Sequence, residues 1–117
     1  MQVKTLQSII ESYLQTGELV QESMIYIKNA IGVNAVCDYR LDKDDDISLL
    51  PAYYFGDKMN ALLVEDFLAI GSNYGGQMVF AYSTNCEEES EYDEYLIDNA
   101  YPSVGTMKTK ILIVEHV

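Results

Sequence analysis

Two short segments of this chain concentrate carboxylate side chains, and they carry its most obvious chemistry. Residues 42–46 contain four aspartates, and residues 87–94 contain five glutamates and one aspartate. Carboxylates grouped this densely repel one another unless water solvates them or a positive surface faces them. The segments therefore predict either solvated loops or a surface that pairs with Lys and Arg side chains of a partner.

The first segment begins like a calcium-binding loop, because Asp42, Asp44 and Asp46 alternate as oxygen ligands do in such loops. The pattern then fails. Ile47 stands where the sharp turn needs glycine, and Tyr53 stands where a bidentate glutamate is needed. We expect a solvated hairpin tip or a partner-facing patch, with no metal.

The second segment interleaves aromatic rings with its acids. Tyrosine buries a large area at little entropic cost, and surrounding acids can pair with basic side chains of a partner. A solvated surface loop is the alternative for the same residues. The candidate partner-binding residues are Glu87, Glu88, Glu89, Glu91, Tyr92, Asp93, Glu94, Tyr95, Asp44, Asp45 and Asp46.

No set of residues with catalytic spacing is visible. His116 is the single histidine, with no Ser or Cys beside it, and a terminal strand position is more often exposed than catalytic. Cys37 and Cys86 lack CxxC spacing and lie in or beside apolar segments, which favours buried free thiols over a disulfide or metal pair. We predict a protein that is not an enzyme and needs no cofactor.

Composition limits the class of protein. The 117 residues suit one domain, 1–117, and 49% hydrophobic residues with ten tyrosines are enough for a real core. The formal charge of -12 favours basic partners and excludes nucleic acid. The sequence shows neither a secretory signal nor an apolar run of the roughly 20 residues that a membrane span needs, so we expect a soluble, cytoplasmic protein.

The elements that must position these acids follow from the apolar periodicity. Helical spacing over 3–14 ends at Gly17, and a second helical pattern over 19–31 ends at Gly32. Alternation over 33–41 predicts a strand, with 42–46 as the loop of a hairpin.

The remaining strands are predicted from short apolar runs. They are 47–55, with Pro51 demoting it to an edge or a bulge, 62–70, 77–82 and 110–117. Residues 83–99 have no clear apolar period and predict a solvated loop. The expected fold is α+β, with two N-terminal helices packed on a mostly antiparallel sheet and the hairpin 62–82 at its centre.

Residues 66–82, DFLAIGSNYGGQMVFAY, resemble the strand, glycine turn and strand of the SUKH superfamily. The resemblance implies a small acidic α+β protein of a group rich in immunity proteins that neutralise nuclease toxins. It carries over only Gly71, Gly75 and Gly76, as structural positions of the turn. From the residues themselves, these glycines are expected to supply positive backbone dihedrals in a hairpin.

Three functions are open at this stage. The first is a binding protein that masks a basic surface, as an immunity protein does against a nuclease toxin. The second is a phage-type inhibitor that imitates DNA and occupies a nucleic-acid-binding defence enzyme. The third is a small structural or assembly subunit, which a large exposed apolar patch or an unpaired edge at the C-terminal strand would indicate.

Overall fold

A computed structural model describes residues 1–29, 32–51, 61–84 and 92–116 of the chain. Two α-helices are present in these ranges, α1 (Val3–Thr16) and α2 (Val64–Gly71), and a short 3-10 helix covers Thr106–Lys108. The strands are β1 (Met24–Asn29), β2 (Gly32–Leu41), β3 (Ile47–Pro51), β4 (Val79–Thr84), β5 (Tyr92–Val104) and β6 (Lys110–His116). The predictions for α1, for β2 and for β6 are confirmed.

The six strands close into a barrel in the order β1 to β6. Four neighbouring pairs are antiparallel, while β3 with β4 and β1 with β6 are parallel. The prediction of two N-terminal helices packed on a mostly antiparallel sheet is therefore wrong, because the strands form a closed barrel. β6 has a neighbour on each side, so it lacks the unpaired edge that would have been one sign of an assembly subunit.

The predicted second helix is wrong because its apolar residues alternate. Ile25 and Ile27 are buried in β1, while Tyr26 and Lys28 between and beyond them are more exposed. A period of two places these isoleucines on the inner face of a barrel strand. Only the end of the predicted segment keeps its expected position, since Gly32 begins β2.

The predicted strand 62–70 is also wrong, because helix α2 covers 64–71. Val64, Phe67 and Gly71 are its buried positions, at helical spacing. An Asp66 carboxylate oxygen accepts a hydrogen bond from the Leu63 backbone N–H at 2.9 Å, which satisfies one donor at the helix start. The expected loop 83–99 is wrong at both ends, since β4 continues to Thr84 and β5 begins at Tyr92. Residues 85–91 at its centre lie outside the described residues.

The order helix, strand, strand, strand occurs twice, and the two halves contact each other in matching ways. At the start of α1, Gln2 bridges to Met78, and the Val3 N–H donates to the Gln77 carbonyl at 2.7 Å. At the start of α2, Leu63 bridges to Met24, and the Val64 N–H donates to the Ser23 carbonyl at 2.9 Å. Each helix is therefore tied by its first residues to the first strand of the other half.

The middle strands repeat the correspondence. The pairing of β2 shifts register between Val36 and Asp38, and that of β5 shifts between Ile97 and Asn99. The carbonyl of Val36 accepts from the Leu62 N–H at 2.9 Å, as that of Ile97 accepts from the Met1 nitrogen at 2.7 Å. These matched contacts define a pseudo-twofold relation between the halves that is not apparent in the sequence.

The interior of the barrel forms one core with the helices. Equivalent positions of the two halves contribute to it, for example Ile25 with Val79 and Val36 with Ile97. The fully buried members of this core are Val3, Leu6, Ile10, Ile25, Val36, Ile47, Leu49, Val64, Phe67, Val79, Ala81, Ile97, Leu112 and Val114. Within the described residues, no helix has both the length and the apolar character needed to cross a bilayer.

Candidate partner-binding surface

Residues 42–46, the acidic loop, close the β2–β3 hairpin as the sequence predicts. The Asp42 N–H donates to the Asp46 carbonyl at 3.1 Å, and the Asp45 N–H donates to the Asp42 carbonyl at 3.1 Å. Asp45 has a left-handed φ of 61°, a conformation that aspartate tolerates better than most residues. Asp44 and Asp45 are exposed at the tip.

Two aspartates hold the loop in shape. One carboxylate oxygen of Asp42 accepts the backbone N–H groups of Asp44 and Asp46, at 2.8 and 3.0 Å. One oxygen of Asp46 accepts the Met78 N–H at 2.9 Å, which ties the loop to the start of β4. The loop is therefore built from its own acids, and Asp44 and Asp45 carry its charge toward solvent.

The loop gathers carboxylate oxygens of Asp42, Asp44 and Asp46 within 4.8 Å of one another. A calcium loop of the usual length cannot continue from it, because the chain enters β3 at Ile47, whose side chain is fully buried in the core. The second failing position, Tyr53, lies outside the described residues. The cluster suits one ammonium or guanidinium group, which carboxylates bind through charge-assisted hydrogen bonds.

The second acidic segment lies only partly in the described residues. Glu87, Glu88, Glu89 and Glu91 fall outside them, and so does Cys86. Tyr92 and Asp93 belong to β5, where their backbones pair with Thr84 and Ser83 of β4.

Glu94 and Tyr95 point to opposite faces of β5. Glu94 is exposed and accepts a hydrogen bond from the buried Ser48 hydroxyl at 2.8 Å. Tyr95 pairs with the core residue Ala81, so its ring is on the inner side of the barrel. There it stacks on His116, with ring centroids 4.5 Å apart and ring planes 10° from parallel.

Tyr95 therefore does not share the outer face of β5 with Glu94, and its role in partner binding stays a prediction. Successive side chains of a strand alternate between faces, so an acid and the tyrosine that follows it cannot share one surface. His116 is half-buried beside that ring, not exposed as the sequence led us to expect.

Glu94 adjoins the acidic loop through β3. Its partner Ser48 lies two residues after Asp46, which is about 7 Å along a strand. Asp44, Asp45 and Glu94 are all exposed. We call these three residues the acidic surface; two of them come from the first segment and one from the second.

The glycine cluster does not form a turn between two strands. Gly71 ends α2, and Gly75 and Gly76 lie in the connection from α2 to β4. None of the three has a positive φ, so the expectation for their dihedrals is wrong. A Cβ on Gly71 would lie 2.8 Å from Gln7 Nε2 and 2.9 Å from Val3 Cγ1, so this glycine permits close contact between the two helices.

A polar network that no sequence pattern indicates lies on the outer face of β1, β5 and β6. The Tyr101 hydroxyl donates to a Glu115 carboxylate oxygen, and Lys28 Nζ lies 3.8 Å from the same oxygen. The hydrogen bond to Glu115 raises the pKa of the Tyr101 hydroxyl above its usual value. These residues lie on three strands, so only the barrel register brings them together.

Cys37 lies at the register shift of β2 and is half-buried, less buried than predicted. Its thiol contacts the Leu50 and Pro51 carbonyls, at 3.5 and 3.7 Å. Burial raises the pKa of the Cys37 thiol, and the nearby Asp38 carboxylate raises it further. A thiol held protonated in this way is a poor nucleophile.

The fold and this surface define a small acidic β-barrel protein with two α-helices and a group of exposed carboxylates. Comparisons with protein-family models, with curated proteins and with solved structures gave no match.

Proposed function

We propose that this chain is a cytoplasmic, non-enzymatic binding protein that masks a basic protein surface, as an immunity protein masks a nuclease toxin. The observation that carries the proposal is the acidic loop. Its backbone is fixed by Asp42 and Asp46, while Asp44 and Asp45 are left exposed. A loop whose backbone is ordered before binding loses little conformational freedom when a partner arrives.

The mechanism is electrostatic. A net charge of -12 attracts a basic partner over a distance limited by salt screening, about 8 Å at physiological ionic strength. Close pairing of Asp44, Asp45 and Glu94 with Lys or Arg then fixes the register of the complex. The acidic loop is the centre of the proposed contact, because its hydrogen bonds support an ordered backbone, whereas Tyr95 lies on the inner face of β5. Glu87, Glu88, Glu89 and Glu91 stay candidate contacts outside the described residues.

The DNA-mimic alternative concerns the same class of partner. It requires acids spread across the fold with the regular spacing of phosphates. The converging oxygens of the acidic loop concentrate charge at one point, which favours a local anchor for Lys or Arg.

Affinity capture from the basic protein fraction of the native host tests the proposal. The wild-type chain is compared with the double variant Asp44→Lys, Asp45→Lys. The matched control is Glu11→Lys, Glu22→Lys, which changes two exposed acids outside the acidic surface by the same charge. We expect the loop variant to bind a captured partner at least about tenfold more weakly, since attraction becomes repulsion.

The control variant should retain most of the wild-type affinity. Equal loss in both double variants would show that only net charge matters, and full binding by the loop variant would show that another face meets the partner. Inhibition of nuclease activity in the captured protein distinguishes an immunity protein from a general acidic binder.

A further inference from the structure

The β5–β6 tip, residues 104–110, presents apolar and basic side chains to solvent. Met107 is 96% exposed and Val104 is 66% exposed. Lys108 and Lys110 are exposed as well, although the Lys110 ammonium donates a hydrogen bond to the Gly17 carbonyl, and the tip contains no acid. This concentration of positive charge is unusual in a chain with seven basic residues and nineteen acidic ones.

The pseudo-twofold relation makes the acidic loop the counterpart of this tip. Each lies between the second and third strands of its half, and each is closed by a backbone bond across the turn, Asp42 N–H to Asp46 carbonyl and Gly105 N–H to Thr109 carbonyl. The acidic loop has four aspartates and one lysine, whereas the tip has two lysines. The two halves therefore share a backbone plan and have opposite charge at equivalent places.

Both turns lie at the same end of the barrel. The acidic loop contacts the start of β4 through Met78, and Lys110 at the tip pairs in β6 beside the start of β1. Because β1 and β4 are equivalent strands that run in the same direction, the pseudo-twofold axis follows the barrel axis. The two turns are then on opposite sides of that axis.

This placement suits a second copy of the chain. If two copies meet at this end about a twofold axis perpendicular to the barrel, each acidic loop faces the other copy's tip. We infer that the β5–β6 tip docks on the acidic loop of a second copy, and the reverse, in a symmetric dimer. Lys108 pairs with Asp44 and Asp45, and Met107 supplies an adaptable apolar contact.

The dimer is weak and depends on concentration. Two copies of charge -12 repel each other. At physiological ionic strength, salt screens this repulsion beyond about 8 Å, whereas Lys and Asp side chains in direct contact still attract each other. The inference does not rest on the proposed function, since it needs no external partner. Dimerisation would nonetheless cover the acidic surface and compete with such a partner.

Sedimentation equilibrium over a wide concentration range, at physiological ionic strength, tests the dimer. The tip variant is Thr106→Glu, Lys108→Glu, which makes both turns acidic. The loop variant is Asp44→Lys, Asp45→Lys, which makes both turns basic. The control is Lys28→Glu, Val33→Glu, which has the charge change of the tip variant on exposed positions of β1 and β2.

We expect the wild type and the control to move from monomer toward dimer mass as concentration rises, and each turn variant alone to remain monomeric. An equimolar mixture of the two turn variants should dimerise, because their turns are complementary again. Melting temperatures close to the wild-type value confirm that the variants are folded. A monomeric wild type, association of either variant alone to the wild-type extent, or a monomeric mixture would overturn the inference.

Discussion

Replacement of Gly71 by alanine tests whether close contact between α1 and α2 holds the helices in place. The new Cβ would lie 2.8 Å from Gln7 Nε2 and 2.9 Å from Val3 Cγ1, both shorter than real Cβ contacts. Gln7 can move at the cost of its 3.3 Å hydrogen bond to the Leu68 carbonyl, about 1 kcal/mol. Val3 is fully buried and cannot move without disturbing the core.

Overpacking of this kind destabilises the fold by about 1 to 3 kcal/mol. The better helix propensity of alanine stabilises it by less than about 1 kcal/mol at the end of a helix. We therefore expect Gly71→Ala to lower the free energy of unfolding by about 1 to 3 kcal/mol. Urea denaturation measures it. Gly76→Ala is the matched control, because nothing lies within 4 Å of a Cβ there, and it should change stability by less than about 0.5 kcal/mol.

A double-mutant cycle with Val3→Ala identifies the cause. Val3→Ala alone should cost about 2 kcal/mol, and it removes the methyl group that the new Cβ would meet. The double variant should then be more stable than the sum of the single effects predicts, by about 1 kcal/mol. A fully additive cycle, or Gly71→Ala with wild-type stability, would refute the packing argument.

Three further predictions concern the turns and the outer network. Met107→Gly should stabilise the fold by up to about 1 kcal/mol in urea denaturation, since Met107 has a left-handed φ of 60° that glycine adopts without strain; a loss of stability would contradict this. Asp42→Ala should cost about 1 kcal/mol by the same assay, because two backbone N–H groups lose their acceptor, whereas Asp42→Asn should cost less than half of that. The raised pKa of Tyr101 means that the folded state binds the hydroxyl proton more tightly than the unfolded state does. The contribution of the protonated Tyr101 hydroxyl to folding stability is therefore lost as pH rises above about 10. Tyr101→Phe should therefore show a shallower loss of stability than the wild type between neutral and strongly alkaline pH.

The sequence predicted those elements whose signal is local. Helix α1 has its apolar residues at helical spacing and ends at Gly17, which adopts a left-handed φ of 80°. Strand β2 alternates, and the acidic loop after it forms the expected hairpin. Each of these elements is determined by neighbouring residues, so no distant contact was needed to recognise it.

Segments whose apolar residues fit both a helical and a strand period were predicted wrongly. Residues 62–70 are apolar enough for a strand, and it is packing of Val64 and Phe67 in the shared core, with Asp66 at the helix start, that selects a helix. Strand β5 was missed because its acidic beginning suggested a loop. Because side chains alternate along a strand, Glu94 and Tyr95 lie on opposite faces of β5.

The candidate site was predictable only in part. The acidic loop could be found from the density of its aspartates. The sequence did not indicate that Asp42 and Asp46 hold the loop while Asp44 and Asp45 are exposed. Asp46 reaches Met78, and Tyr101 reaches Glu115, through pairings between strands distant in sequence. No local sequence pattern encodes such pairing between distant strands. The polar network around Glu115 and the opposite charges of the two turns therefore became apparent only in the closed barrel.

The exchange of helix starts between the two halves bears on how the chain folds. The backbone before α1 completes its hydrogen bonds on β4, and that before α2 completes them on β1. Neither half can satisfy its own helix until the other half is in place, although each contains local hairpins that can form early. Closure by β1 and β6, which join opposite ends of the chain, adds the contacts with the largest loss of chain entropy. The barrel should therefore fold in one slow, cooperative step, and a chain cut between the halves should refold only when both fragments are present.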